Sequence, residues 1–155
     1  MSVHRVAKLR PADAGSRIPL SRKPVTPRQI SIALCRGTVA FVWLYQGLVP
    51  KLLGPSADEL AMAMAVFNAP EIAMKMSRLA GVFEIAFSVC VVLFWRRAWP
   101  LWMTLMAMLG LLAFVAIFMP QLLTGAFNPV TTNLSVAALA AVALQLQREP
   151  IDKNG

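Results

Sequence analysis

A chain of 155 residues has room for one domain, and this one is 58% hydrophobic and only 14% charged, against roughly 45–50% apolar and about 25% charged in soluble domains. A single core of this size cannot hide that surplus, so lipid must face most of the apolar side chains and a soluble globular fold is excluded. The net charge of +8 does not point to nucleic acid, because the basic residues are not interleaved with stacking aromatics and seven of the 15 Lys and Arg residues precede residue 30.

Those seven are Arg5, Lys8, Arg10, Arg17, Arg22, Lys23 and Arg28. Residues 1–28 scatter Pro, Ser and Arg without helical or alternating period, which predicts a disordered basic arm lying against an anionic cytoplasmic leaflet. The apolar run that follows exceeds the roughly 7–15 residues of a signal peptide's hydrophobic region, so it is expected to stay as an anchor. Residues 29–50 make a first span of 22 residues, about 33 Å of helix. Ser56 with Glu59 three residues on is a capping-box pattern and predicts a short helix over 57–67. Too short to span, it is expected to be an external amphipathic helix that lies on the outer membrane surface or caps the bundle. Further spans follow at 79–95, 98–119 and 130–146. The second and fourth have 17 residues each, near the lower limit for crossing, so both should stand upright. Pro100 falls in the first turn of the third span, and Asn128 caps the fourth with Pro129 at its first helical position.

The expected fold is all-α: an antiparallel four-helix transmembrane bundle over 29–147, preceded by the arm at 1–28 and followed by a cytoplasmic tail at 148–155. Orientation follows from the basic residues. With both termini cytoplasmic, eleven Lys and Arg residues lie inside and only Lys51, Lys75 and Arg78 lie outside, a positive-inside asymmetry. In a bacterial cell this means the inner membrane.

Within the spans the ionisable residues are Arg36, Glu84 and, at the outer rim, Lys51. Each needs a reason, since a charge in lipid costs at least roughly 2.5 kcal/mol. Arg36 lies near the cytoplasmic end, where its long stem is expected to snorkel to the interface. Glu84 is short and lies five residues below the outer end of its span. Ser77, Gly81, Glu84 and Ser88 recur at steps of four, three and four, the mark of a helix contact face. Tyr45 and Gln46 in the first span fall at the depth of Glu84, as does Asn133 below Asn128, with Ala137 and Ala141 continuing the Asn133 face. Lys51 stands one turn above Glu84, within reach of it. Tyr45, Gln46, Lys51, Glu84, Asn128 and Asn133 are therefore the candidate residues of a polar layer opening outward, read either as a ligand site or as structural glue between helices. Cys35 and Cys90 have no partner at redox spacing and read as buried, inert thiols. Met62-x-Met64 and Met74-x-Met76 could ligate Cu(I) but are more economically read as packing, so no metal is expected.

The stretches "RGTVAFVWLYQGLVPKLL", "SADELAMA", "LAGVFEIAFSV" and "FNPVTTNLSVAALA" together resemble the DoxX-like membrane proteins over residues 32–147. The pieces that carry the likeness are residues 47–51, Glu59, residues 81–84 and Asn128-Pro129. The resemblance implies a four-helix integral membrane protein, with some relatives acting as subunits linked to quinone reduction or to sulfur and thiol redox metabolism. No catalytic motif is present. The function expected is a non-catalytic membrane component or small-ligand binder without a cofactor of its own. The alternative is the membrane subunit of a redox complex, with a quinone headgroup in the polar layer. The partners are the lipid bilayer and a lipophilic ligand or membrane redox protein, with oligomers allowed and nucleic acid not involved.

Overall fold

The computed structural model describes residues 25–54, 56–125 and 128–148, and every regular element in them is helical. Most of the expected basic arm and nearly all of the tail lie outside the described residues. Helix α1, Pro27–Gly47, starts two residues earlier than expected because Thr26 and Gln29 form a reciprocal capping box. Pro27 stands in its first turn, where no N–H is needed. At its other end α1 does not stop at Pro50. It widens into a π-helical segment, Leu48–Leu53. Pro50 has no N–H to give and its ring crowds the carbonyl four residues back, so the wider turn lets the chain coil past it.

Ser56 caps α2, Ala57–Phe67, by accepting from the Glu59 N–H at 3.2 Å. Helix α2 ends on Asn68, whose φ of 50° is the left-handed conformation that Asn tolerates. Two residues on, Pro70 opens α3, Pro70–Leu93. This span has 24 residues instead of the 17 expected, because the charged Lys75 and Arg78 fall in its exposed first turns without ending it. Helix α4, Trp99–Phe118, carries Pro100 in its first turn, and a short 3-10 turn, Pro120–Thr124, follows. Asn128 Oδ1 accepts from the Thr131 N–H at 3.0 Å and starts α5, Pro129–Arg148, at 20 residues also longer than expected.

Four of these helices, Pro27–Leu53, Pro70–Leu93, Trp99–Phe118 and Pro129–Arg148, are long and apolar enough to cross a membrane, and a third or less of each apolar stretch is buried inside the bundle. Phe83, Leu93, Ile117 and Phe118 are among the large apolar side chains left on the outside, which lipid must cover. Around the bundle the order is α3, α1, α5, α4, with α4 and α3 touching only lightly, while α2 lies along α3. The core runs through Val39, Val91, Leu101, Ala140 and Ala143. On α5 the buried face is Asn133, Val136, Ala137, Ala140, Ala143 and Leu144. Ala141, expected on that face, is exposed. Two steps of four residues drift roughly 80° around a helix of 3.6 residues per turn.

Arg36 corrects the expectation of a snorkelling side chain. It is fully buried, and its guanidinium donates to the carbonyls of Val91 at 3.2 Å, Phe94 at 3.4 Å and Arg97, and to Gln147 Oε1 at 3.3 Å. Trp95 lies 5.7 Å away for a cation–π contact. Carbonyls at a helix C-terminus have no partner in their own helix and gather negative potential, so α3 and the turn after it supply what water would have supplied. Gln147 Nε2 also donates to the Trp95 carbonyl at 3.3 Å and Arg28 Nε to that of Leu146 at 2.8 Å, tying α5 to the same end.

Helices α1 and α3 come into backbone contact at two glycines. A Cβ on Gly47 would come within 2.5 Å of the Gly81 carbonyl oxygen, and one on Gly81 within 2.7 Å of the Gly47 oxygen. Backbone meets backbone there, and nothing flexible can yield. Gly37 and Gly110 have nothing within 4 Å. Gly47→Ala and Gly81→Ala should each lower stability by about 1–3 kcal/mol through overpacking. Gly37→Ala and Gly110→Ala should be neutral or stabilise by up to about 1 kcal/mol through helix propensity. Thermal unfolding of the four purified variants in detergent checks this.

Candidate functional site

The glycine crossing fixes what lies one turn above it. With α1 and α3 in backbone contact, the π-helical turn carries Lys51 over Glu84. Lys51 Nζ donates to Glu84 Oε1 at 2.6 Å and makes a second ion pair with Glu59 Oε1 at 3.4 Å. Lys51 is 9% exposed. One ammonium thus serves two carboxylates from two other helices, and α2 is joined to the bundle through it. Ser56 accepts the Glu59 N–H, but the Glu59 side chain turns to Lys51 instead of closing the capping box. Burial pushes the Glu59 carboxyl above its ordinary value; Lys51 pulls it back down, and the nearby Glu84 adds to the rise.

This triad forms part of the wall of a cavity of about 530 Å³ at the same end of the bundle. Helix α1 contributes Val42, Trp43 and Gln46, and α4 contributes Ala107, Met108, Leu111 and Val115. Asn133 and Thr132 come from α5, and Gln121 and Leu122 from the turn before it, while the start of α2 brings Asp58, Glu59 and Met62 across the mouth. The floor is held by Trp43, whose Nε1 donates to Thr104 Oγ1 at 3.1 Å and whose ring meets Phe87 edge-on at 4.9 Å. The lower wall is apolar and the upper wall carries the polar groups, the arrangement common to small-molecule sites.

Five of the six residues singled out in the sequence, Gln46, Lys51, Glu84, Asn128 and Asn133, line this cavity. Tyr45 does not. It is 49% exposed and packs on Phe41 with ring centroids 6.0 Å apart, on the lipid side of α1. Depth alone suggested Tyr45; one residue along a helix turns the side chain by about 100°, and that turn separates it from Gln46. Asn128 has its amide occupied, donating to the Gly125 carbonyl at 2.9 Å and accepting from Thr131, so its polar atoms hold the turn. Asn133 and Glu84 differ from it. Asn133 Nδ2 and Glu84 Oε2 are buried without a hydrogen-bond partner, each at a cost of about 1–3 kcal/mol. Glu59 and Trp43 were not among the candidates. In the sequence Glu59 stands out as a capping-box residue and as part of the family likeness, and its helix folds back over Lys51 through a link no periodicity describes. Among the described residues no group of His, Cys, Asp or Glu is placed to hold a metal ion, and Cys35 and Cys90 are both free thiols.

The family model for the DoxX-like family matches residues 40–141, and the chain belongs to that family. The match takes in the glycine crossing, the triad and Asn133. No curated protein and no solved structure matches the chain.

Removing one partner of a buried ion pair leaves the other uncompensated. Lys51→Met leaves two carboxylates facing each other and should cost about 2–3 kcal/mol, less than the roughly 3–5 kcal/mol of a fully buried pair because the cavity admits some water. Glu84→Gln should cost less, since Glu59 still neutralises Lys51. The double variant should be more stable than the two single losses added together. A double-mutant cycle by thermal unfolding reads the coupling directly.

Proposed function

We propose that this DoxX-like multi-pass membrane protein is a non-catalytic binder of small lipophilic molecules, which it takes into the cavity between α1, α4 and α5. The observation that supports this most is the cavity itself. Its volume lies within the roughly 300–1,000 Å³ of ligand sites, and its wall is apolar below and polar at one level above. A bundle needing only structural glue would close helices around the Lys51–Glu84 pair. Here the pair lies at the edge of open space, and two buried polar atoms beside that space have no partner.

A second reading, the membrane subunit of a quinone-linked redox complex, draws on one of those atoms. The Asn133 amide N–H could serve a quinone carbonyl, with the ring lying on the Trp43, Met108 and Val115 side of the cavity. In either reading the cavity opens to the outer face of the cell membrane and both termini are cytoplasmic, in keeping with the excess of basic residues on the arm, at Arg96 and Arg97, and at the C-terminal end.

Two experiments test these statements. Mass spectrometry of protein purified from native membranes should find a lipophilic compound bound to the wild type and lost from Ala107→Phe, in which a ring fills the cavity from α4. Recovery of the same compound from both variants would remove the site, and a quinone as that compound would select the second reading. For orientation, single cysteines at Ala69 and Leu123, in a background lacking Cys35 and Cys90, should react with an impermeant maleimide in intact cells, while those at Ser21 and Asn154 should not. Reaction at Asn154 together with Leu123 would reverse the placement of the C-terminus.

A further inference from the structure

Among the described residues that line the cavity, Lys51 is the single cation, while Asp58, Glu59 and Glu84 are three carboxyl groups. Lys51 sits at 2.6 Å from one carboxylate and 3.4 Å from another, so the triad alone carries one negative charge more than it neutralises. Asp58, at the exposed start of α2, adds a second at the mouth. The upper wall also holds the unpartnered oxygen Glu84 Oε2, and the floor offers the indole of Trp43. An excess negative charge beside an apolar, partly enclosed space is what attracts a cation with an apolar body, with the field strengthened by the low dielectric around it. An aromatic floor adds cation–π attraction for such a ligand.

From this balance of charge we infer that the cavity selects lipophilic monovalent cations, such as amphiphilic amines and quaternary or phosphonium ions, and rejects anionic amphiphiles such as fatty acids and phosphate-bearing lipids. The inference rests on the proposed binding role and adds the charge class of the ligand. Lys51 does not cancel the attraction. It is spent between Glu84 and Glu59, and it keeps both carboxyl groups in place at the rim. Burial and the neighbouring Glu84 raise the Glu59 carboxyl above its ordinary value while Lys51 lowers it, so a proton taken up by Glu59 as the pH falls cancels the surplus charge. The charged groups facing Glu59 are Lys51 from the π-helical turn, Glu84 from α3 and Asp58 from its own helix. A bound cation and that proton therefore compete.

The test uses the full chain in an uncharged detergent and three probes of nearly equal size: tetraphenylphosphonium, triphenylphosphine oxide and tetraphenylborate. Equilibrium dialysis against Ala107→Phe as baseline isolates binding in the cavity from partition into micelles. Tetraphenylphosphonium should bind, the neutral oxide more weakly, and tetraphenylborate not above baseline. Glu59→Gln and Glu84→Gln should each weaken the phosphonium ion by about tenfold, the effect of losing one nearby charge at intermediate dielectric, and leave the oxide within about twofold. Glu59 lies on α2, which buries no residue of its own, so Glu59→Gln remains informative if Glu84→Gln fails to fold. Because the phosphonium ion does not titrate, its affinity in the wild type should rise with pH as Glu59 loses its proton, above the ordinary carboxylate range, and that rise should vanish in Glu59→Gln. Cavity-dependent binding of the oxide or of tetraphenylborate as tight as that of the phosphonium ion would overturn the inference and leave the binding role standing. Unchanged phosphonium affinity in Glu59→Gln would also overturn the inference. If none of the three probes binds above the Ala107→Phe baseline, both statements fall.

Discussion

Everything at the cavity end depends on two glycines. The backbones of α1 and α3 touch at Gly47 and Gly81, and no other residue type fits at either position. Between transmembrane helices the hydrophobic effect offers little, because lipid is as apolar as the side chains, so association rests on close packing and on interhelical polar contacts. The crossing supplies the first and sets up the second. It fixes the separation of the two helices one turn below Lys51, and from that separation a lysine stem reaches a glutamate on the neighbouring helix without bending into lipid. Ser88, on the same face of α3, donates to the Ala40 carbonyl at 2.7 Å and carries the contact toward the other end of the bundle.

Pro50 is the second constraint, and it acts through what it forbids. An α-helical continuation of α1 would need an N–H at residue 50 and would turn Lys51 by the usual 100° from its neighbour. The wider π-helical turn shifts that register and places Lys51 inward at 9% exposure. Single-turn π segments often accompany functional sites. Here the physical consequence is specific: the turn lets one cation reach carboxyl groups on both α3 and α2. Because α2 buries none of its own side chains, that ion pair and its packing along α3 are what keep it over the mouth of the cavity.

Topology was legible in the sequence because it rests on quantities that local composition reports: apolar length, proline and asparagine at helix starts, and the short helix at 57–67. The site was legible only in part. Gln46, Glu84 and Asn133 follow from asking which polar residues share a depth, and Lys51 from its reach down to Glu84; depth and reach are both read from counting. Tyr45 shares the depth but faces lipid, and counting along a helix cannot separate it from Gln46 unless the buried face is already known. Glu59 was hidden because its contact crosses a non-helical link. Arg36 was misjudged for a related reason. A snorkelling lysine or arginine needs only its own stem, whereas a buried one needs partners, and those of Arg36 come from residues 91–97 and 147, which no spacing within α1 could reveal.

The two ends of the bundle solve the same problem in opposite ways. At one end Arg36 is buried among carbonyl oxygens, dipoles that satisfy its donors yet bring no full charge, so the site keeps a net positive charge with almost every donor used. Such a cluster is finished: the guanidinium closes the C-terminus of α3 and joins it to α5, and little is left to recognise anything else. At the other end Lys51 is met by full negative charges in excess of its own, beside open space and two unpartnered polar atoms. A buried charge cluster that does not balance is costly, and the cost falls when a counter-charge or a hydrogen-bonding group arrives. The imbalance therefore separates the two polar clusters into one whose donors are nearly all used and one that keeps unmatched charge and unpartnered polar atoms.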